Sequence, residues 1–261
     1  MTGGEAIAGH AFVVPAYGES PFLEACLASL REQTTSASIL ITTSTPSAFL
    51  DRMATRFGAQ LRTNPRRENI AADWNFALRA SATRYITLAH QDDVYYPAFA
   101  EESLRLLATS NAAVSFTGYE QVDDTGARTA SKISRVKHLI EAITLGATRS
   151  PSRLRMRCFL SFGNPLPCSS VTFDLSQLGG FGFSGAFASN LDWEAWLRLL
   201  DEGHAFVRTP RRLVGRRHNP LTETSRLIRD GRRAQEDLMM FRRLWPSPIA
   251  DALAALYRTG Y

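Results

Sequence analysis

Short apolar runs alternate with stretches of helical periodicity through the first half of the chain, and this alternation restricts it to a small group of folds. Ala11–Ala16, Ser38–Thr43, Ala59–Thr63, Tyr85–Ala89 and Ala112–Thr117 read as strands. Between them, a helix from Ser20 (N-cap) and Pro21 (first turn) sets Phe22, Cys26, Leu27 and Leu30 on one face. Pro46–Phe57, Ile70–Ala80 and Pro97–Ala108 read as three more helices. Runs of about five apolar residues are what a parallel strand buried on both faces requires. Repeated β-α units of this length predict an α/β fold, a doubly wound parallel sheet with right-handed crossovers.

After Gly118 the rhythm changes. Gln121–Gly126 is turn-like, Arg135–Leu145 reads as a basic helix, Gly163–Cys168 as a Pro/Gly loop and Gly179–Gly185 as a glycine-rich loop. Leu191–Leu200 predicts a helix offering Leu191, Trp196, Leu197 and Leu200 to a core. Thr222–Leu244 reads as an arginine-rich helix and Ile249–Tyr257 as a short closing one. No repeat or low-complexity linker divides the 261 residues. The expectation is one domain over 1–261, with a nucleotide-type half at about 11–118, a variable half at about 119–218 and a helical segment at about 219–261.

The two adjacent carboxylates of Tyr85-Ile-Thr-Leu-Ala-His-Gln-Asp-Asp-Val-Tyr-Tyr-Pro97 stand where an apolar run stops and a helix is about to open. In open α/β sheets, ligands bind outside the carboxyl ends of the strands. Two acids there are poorly placed for packing and well placed to hold a divalent cation that bridges to a ligand's phosphates. The plainer reading is an acidic cap for the helix at Pro97.

Composition narrows the partners. With 44% hydrophobic residues the chain can build a sizeable core. Its longest apolar runs, about six residues, fall far short of the ~20 that cross a bilayer. Met1–His10 has an acidic residue and no basic apolar segment, unlike a secretory signal. Cys26, Cys158 and Cys168 are odd in number and lack metal-ligand spacing, which fits free thiols in a reducing compartment. A soluble cytoplasmic protein is expected. The net charge is +5, and Lys132 and Lys137 are the only lysines, so the positive charge is nearly all arginine, which suits bidentate phosphate contact. Basic runs with interleaved aromatics are lacking, which argues against nucleic acid. Phosphorylated small molecules and an anionic membrane surface remain as partners.

Four motifs carry a family likeness: Val13-Val14-Pro15-Ala16-Tyr17, the helix start from Glu68-Asn69 to Trp74-Asn75, Gln91-Asp92-Asp93, and Leu191-Asp192-Trp193-Glu194. In order and spacing they resemble the family 2 inverting glycosyltransferases of the GT-A fold, over about residues 11 to 218. The resemblance implies a Rossmann-like, mostly parallel sheet with a variable acceptor-binding back half and C-terminal helices. It also implies transfer of a sugar from a nucleotide-diphosphate sugar to a hydroxyl on a glycan or lipid-linked acceptor, in bacterial-type cell-surface glycan synthesis. A divalent cation, Mn²⁺ or Mg²⁺, would assist.

On that likeness Pro15, Ala16, Tyr17 and Glu19 line the nucleotide base. Pro15 as a plain strand terminator and Tyr17 as a packing residue is the alternative. Many members end the second strand in an aspartate; here Thr42-Thr43-Ser44-Thr45 stands there, leaving Thr43 to meet the nucleoside. Asn69, Asp73 and Asn75 approach the donor diphosphate and ribose, with Arg66 and Arg67 nearby, or are ordinary helix residues. A helix start binds anions through its free N–H groups in any case. Asp92 is implied for the ribose and Asp93 for the metal. His90 replaces a further acid, either as a neutral hydrogen-bonding substitute or as a half-buried ring.

Asp192 is the implied catalytic base, at the start of Asp192-Trp193-Glu194-Ala195-Trp196-Leu197-Arg198, with Glu194 the alternative base or a supporting group. A carboxylate in the first turn also complements the helix dipole without any chemistry. In the last cluster, Arg216-Arg217-His218, Arg217 would contact the diphosphate and His218 the diphosphate or the metal, with an imidazole favouring Mn²⁺, and Arg216, Arg217 or His218 would help stabilise the leaving charge. The same arginines would also suit anionic lipid. Asn164, Ser169, Ser170 and the Gly179–Gly185 loop fall in the family's acceptor region. Two rival readings are a sugar-phosphate nucleotidyltransferase and a glycan- or sugar-nucleotide-binding protein without activity. The former needs a glycine-rich basic loop after strand one, which Pro15–Ser20 lacks.

Overall fold

The computed structural model describes residues 9–129, 132–217 and 227–259. The front half is built from β1 (His10–Ala16), α1 (Leu23–Arg31), β2 (Ser38–Thr43), α2 (Ala48–Phe57), β3 (Gln60–Thr63), α3 (Ile70–Ala80), β4 (Tyr85–Leu88), β5 (Val94–Tyr95), α4 (Phe99–Ala108) and β6 (Val114–Val122). There follow β7 (Arg128–Thr129), α5 (Lys132–Leu145), α6 (Arg153–Leu160), a 3₁₀ turn at Cys168–Ser170, β8 (Val171–Asp174), α7 (Leu191–Asp201), β9 (Phe206–Arg217), α8 (Arg232–Leu244) and α9 (Ser247–Arg258).

The strands form one mixed sheet in the order β3-β2-β1-β4-β8-β6-β9-β5, with β7 beside β6. From β3 to β4 all neighbours are parallel, as the apolar runs require. β8 then enters antiparallel between β4 and β6, β6 and β9 run parallel, and β5 closes antiparallel on β9. Side chains alternate along β1. Phe12, Val14 and Ala16 pack against Cys26 and Leu27 of α1, Leu50 of α2 and Phe99 of α4. Ala11 and Val13 face Trp74 and Ala77 of α3 in a second core that also takes Trp193 and Trp196 of α7 and Phe241 of α8. Both faces of the sheet are covered at β1, β2 and β4, so these strands are largely apolar, whereas the edge strand β3 is polar and mostly exposed.

Three expectations need correction. α1 starts at Leu23, because Ser20 closes a turn: its hydroxyl accepts from Phe22 N–H at 3.3 Å and its carbonyl from Leu23 N–H at 3.3 Å. The arginine-rich helix expected over 222–244 is interrupted: 227–229 are helical and a separate helix starts at Arg232, since Gly231 adopts φ +71°, a left-handed geometry that breaks a helix. Residues 218–226 of that stretch lie outside the described residues. β5, β8, β9 and α6 have no counterpart among the expected elements. β9 contains Thr209-Pro210-Arg211-Arg212, which reads as basic loop; the proline is accommodated where the register against β6 shifts at Thr117–Tyr119. A side chain at Gly118 would lie 3.1 Å from the carbonyl oxygens of Pro210 and Arg211, so the bulge requires glycine. The cysteines are free, Cys26 and Cys168 buried and Cys158 exposed.

Asp174 ties the inserted strand β8 to the start of β4. Arg84 donates to it from Nε at 3.0 Å and from Nη2 at 2.7 Å, and Ser176 and Gln177 add further bonds. Burial alone would raise the carboxyl; the bonds from Arg84, Ser176 and Gln177 outweigh it and hold Asp174 down at about 2. A folded pKa below the unfolded value of about 3.9 gives stability that is full above pH 4 and lost as pH falls toward 2. The stabilisation is about 2 kcal/mol. The stability difference between wild type and Asp174→Asn, from urea unfolding, should therefore shrink as pH drops from 5 to 2; a constant difference refutes the assignment.

Candidate functional site

The carboxyl end of β4 stays beside β1 through Ala89 N–H to Val13 O at 2.8 Å, and the chain then folds back with Asp93 N–H on His90 O at 3.2 Å. This tight return brings one ligand atom each of His90, Asp92 and Asp93 within 4.8 Å of one another. Asp93 is 2% exposed. Its Oδ1 accepts the Arg217 backbone N–H at 3.0 Å, while Oδ2 is buried without a hydrogen bond. His90 Nδ1 lies 4.0 Å from that oxygen, and its ring rests against Trp74 at 5.2 Å. Burial, and then the charge of Asp92, raises the Asp93 carboxyl to about 6; His90, Arg216 and the Ser169 hydroxyl pull the other way.

A buried carboxylate oxygen with no donor is costly unless something positive completes it. One imidazole and two carboxylates are a donor set that suits Mn²⁺, and the oxygens alone suit Mg²⁺. The residues present therefore fit a divalent cation, and His90 joins the expected Asp93.

Arg217 does not offer its charge to a ligand here. Its Nε donates to Asp92 O at 3.0 Å, Nη1 donates to Asp123 O and Asp124 O, and the guanidinium stacks 4.3 Å over the Phe22 ring. Arg217 is a buried brace beneath the carboxylates, and half-buried Arg216 is the cation that acts on Asp93.

Asp192 sits half-buried in the first turn of α7, its Oδ1 accepting Trp193 N–H at 2.8 Å. The Cys168–Ser170 turn lies between it and β4. Ser169 acts on Asp93, whereas the Cys168 thiol is pushed up by burial and by the charge of Asp192. Tyr95 OH on Ser169 O at 3.0 Å fixes that turn to the sheet. Asp93 and Asp192 thus both lie near one three-residue element. The alternative base, Glu194, faces Arg198 at 3.2 Å and Arg243 at 3.7 Å.

The segment leading into α7 is held from α8. Glu236 accepts from Ala188 N–H and Ser189 N–H at 2.8 Å, Ser189 Oγ at 2.7 Å and Asn190 N–H at 3.1 Å. Asp237 accepts from Asn190 Nδ2 at 2.7 Å and pairs with Arg233 at 3.2 Å.

At the end of β1, Pro15 is half-buried and Ala16 buried, while Tyr17 is 56% exposed and Glu19 is exposed. Gln91 clasps the Tyr17 backbone at N–H and C=O, 3.2 Å each, and Arg67 donates to Tyr17 OH at 2.7 Å. Thr43 is buried, and its Oγ1 accepts Thr45 N–H at 2.9 Å. Asp73 accepts from Ser44 Oγ at 2.9 Å and Asn64 Nδ2 at 2.8 Å. Asn69 caps α3 through Ala72 N–H at 2.9 Å. Asn75 bonds Phe183 at both N–H and C=O, 2.7 and 2.8 Å, pinning the glycine-rich loop. A cleft of about 270 Å³ opens here, lined by Asn64, Arg66, Glu68, Asn69, Asn75 and Gly185 among others. Asn69 and Asn75 shape this cleft by holding backbone, and Asp73 by holding the side chain of Asn64.

Residues 11–168 match the model of the family described as glycosyl transferase family 2. The chain belongs to that family. No curated protein sequence matches. Among solved structures, this glycosyltransferase is similar to the mannosyltransferase PcManGT from Pyrobaculum calidifontis in complex with GDP-Man and Mn²⁺, at 16% identity and TM-score 0.65, covering 95% of this chain and 69% of that one. S. aureus TarS 1–349 in complex with UDP-GlcNAc gives 11% identity and TM-score 0.64, covering 95% and 71%. Glucosyl-3-phosphoglycerate synthase from Mycobacterium tuberculosis, in complex with Mn²⁺, UDP and phosphoglyceric acid, gives 16% and 0.59, covering 87% and 79%. These likenesses establish the GT-A fold.

In this glycosyltransferase Ser169 and Ser170 are fully buried, Ser170 Oγ donating to Pro167 O at 2.8 Å. Asn164 caps its own turn through Leu166 N–H at 3.1 Å. His218 lies outside the described residues. Arg216 was read from sequence beside Arg217 and His218, and His90 and Gln91 within the carboxylate segment, whereas Glu236 was not singled out. For His90 a signal existed, since it stands two places before Asp92 where family members carry an acid. Glu236 gave none, because its partners are 46 to 48 residues away.

Proposed function

We propose that this glycosyltransferase moves a sugar from a nucleotide-diphosphate sugar to an acceptor hydroxyl in a single displacement with inversion, assisted by Mn²⁺ or Mg²⁺. What supports the reading most is that the His90–Asp92–Asp93 cluster and Asp192 both lie near the Cys168–Ser170 turn. His90, Asp92 and Asp93 would hold the cation, which when bound neutralises charge on the leaving diphosphate. Asp92 is also within reach of a ribose. Tyr17, exposed and stacked under Arg67, supplies a flat surface for the base, flanked by Pro15, Ala16 and Glu19.

Asp192 accepts the proton of the acceptor hydroxyl as its oxygen bonds the anomeric carbon. The bond from that carbon to the diphosphate breaks on the opposite face, and Arg216, whose charge acts on Asp93, would stabilise the released charge. The acceptor, a glycan or a lipid-linked molecule of the cell surface, would enter past the glycine-rich loop that Asn75 anchors.

The test is a thermal-shift series with nucleoside diphosphates and nucleotide sugars, with and without Mn²⁺. A ligand at a hundred times its Kd adds about 2.7 kcal/mol to the native state. The matching nucleotide should raise Tm only with Mn²⁺. In Asp93→Asn the Arg217 N–H keeps an acceptor while the unpartnered oxygen becomes an amide, so the Mn²⁺-dependent shift should vanish with the unliganded Tm kept. A shift that survives the substitution removes Asp93 from the cation site. Affinity without donor turnover would favour a binding protein.

A further inference from the structure

We propose that the exposed face of α5 is a docking surface for an anionic lipid bilayer. Val136, Leu139 and Ile143 are 55%, 59% and 75% exposed, and at spacings of three and four they form one apolar stripe. The opposite side of the helix is firmly attached. Leu145 is buried, Ile140 packs on the core and Lys137 Nζ donates to Asn164 O at 3.0 Å. Glu141 pairs with buried Arg208, whose Nη1 donates to Gly146 O at 3.0 Å. The stripe is therefore the outward face of a well-anchored helix.

Charge selects the occupant. Arg135 is exposed on the same helix, and exposed Arg149, Arg153 and Arg155 follow, with Leu154 projecting 77% exposed between the last two. The one acid of α5, Glu141, is neutralised by Arg208. Asp201, facing α6, is shared by Arg153, Arg157 and Arg243. An exposed apolar line with an exposed arginine on its own helix and further exposed arginines on the segment that follows fits the headgroup region of an anionic membrane. A second copy of the chain fits worse, because a two-fold contact sets the same arginines against one another. Fourteen residues make a helix of about 21 Å, so α5 lies in the interface and does not cross it. The Lys137–Asn164 bond links α5 to the loop that leads into the Cys168–Ser170 turn, so a docked helix holds the site close to a membrane-borne acceptor. This docking goes beyond the catalytic reading and does not require it.

Co-sedimentation of the full chain with phosphatidylcholine–phosphatidylglycerol vesicles and with pure phosphatidylcholine vesicles tests it. Binding should appear on the anionic vesicles and weaken as salt is raised. The double variant Leu139→Glu/Ile143→Glu should bind at least about tenfold more weakly. Its Tm and its Mn²⁺-dependent donor hydrolysis without vesicles should match wild type, since both side chains are exposed. Equal vesicle binding by variant and wild type, or no binding by either, overturns the proposal. A dimer that the variant dissolves would assign the surface to a second copy and overturn it too. Lost donor hydrolysis in both proteins would count against the catalytic reading alone.

Discussion

Asp192→Asn is expected to lower turnover by about 10²–10⁴-fold while leaving nucleotide-sugar binding unchanged, because general-base assistance contributes about that much. The substitution keeps the shape of the side chain and an Oδ1 acceptor for Trp193 N–H, so helix α7 should start as before. What is lost is the ability to take a proton. Steady-state rates together with the Mn²⁺-dependent thermal shift separate the two effects: kcat falls and the shift stays. Unchanged kcat would move the base elsewhere. Glu194 is poorly suited to take over, since it is buried and faces two guanidiniums.

Glu236→Ala should be the most destabilising single change at the site, by about 3–5 kcal/mol. It removes the common acceptor of three backbone N–H groups and one hydroxyl at Ala188–Asn190. Buried donors left without a partner carry a full desolvation cost. For a chain of this size the expected fall in Tm is about 10 °C. Glu236→Gln retains one carbonyl oxygen and should fall between the two. If the clamp also positions Asp192, Glu236→Gln will lower kcat more than it alters donor affinity. Equal Tm values for wild type and the alanine variant would show that the segment before α7 is held by other contacts.

Legibility in the sequence followed the range of the interactions. Ser38–Thr43 and Ile70–Ala80 were read with the observed bounds, because a doubly buried strand must be apolar along its length and an amphipathic helix must repeat every three to four residues. β8 and β9 were missed for the opposite reason. β8 is four residues long, and β9 carries arginines and a proline that only its pairing with β6 makes compatible with a strand. The carboxylate pair was legible as a cation site because a strand end is a recognisable place for one. Arg217 and Asp73 were read through the family likeness, and the hydrogen bonds they make within the protein, to Asp123 and to Ser44 and Asn64, were not legible from local sequence.

By itself the sequence determined the class of fold, the family and the position of Asp92 and Asp93 at the tip of a central strand, since each depends on periodicity or on residues adjacent in the chain. Only the tertiary structure decided that His90 joins those acids, that Arg217 braces them from beneath and that Glu236 steadies the start of the Asp192 helix. The Arg217 and Glu236 assignments rest on contacts between residues far apart in sequence, and no local pattern encodes which of several arginines or carboxylates will meet; the His90 assignment rests on the tight return of the chain after β4.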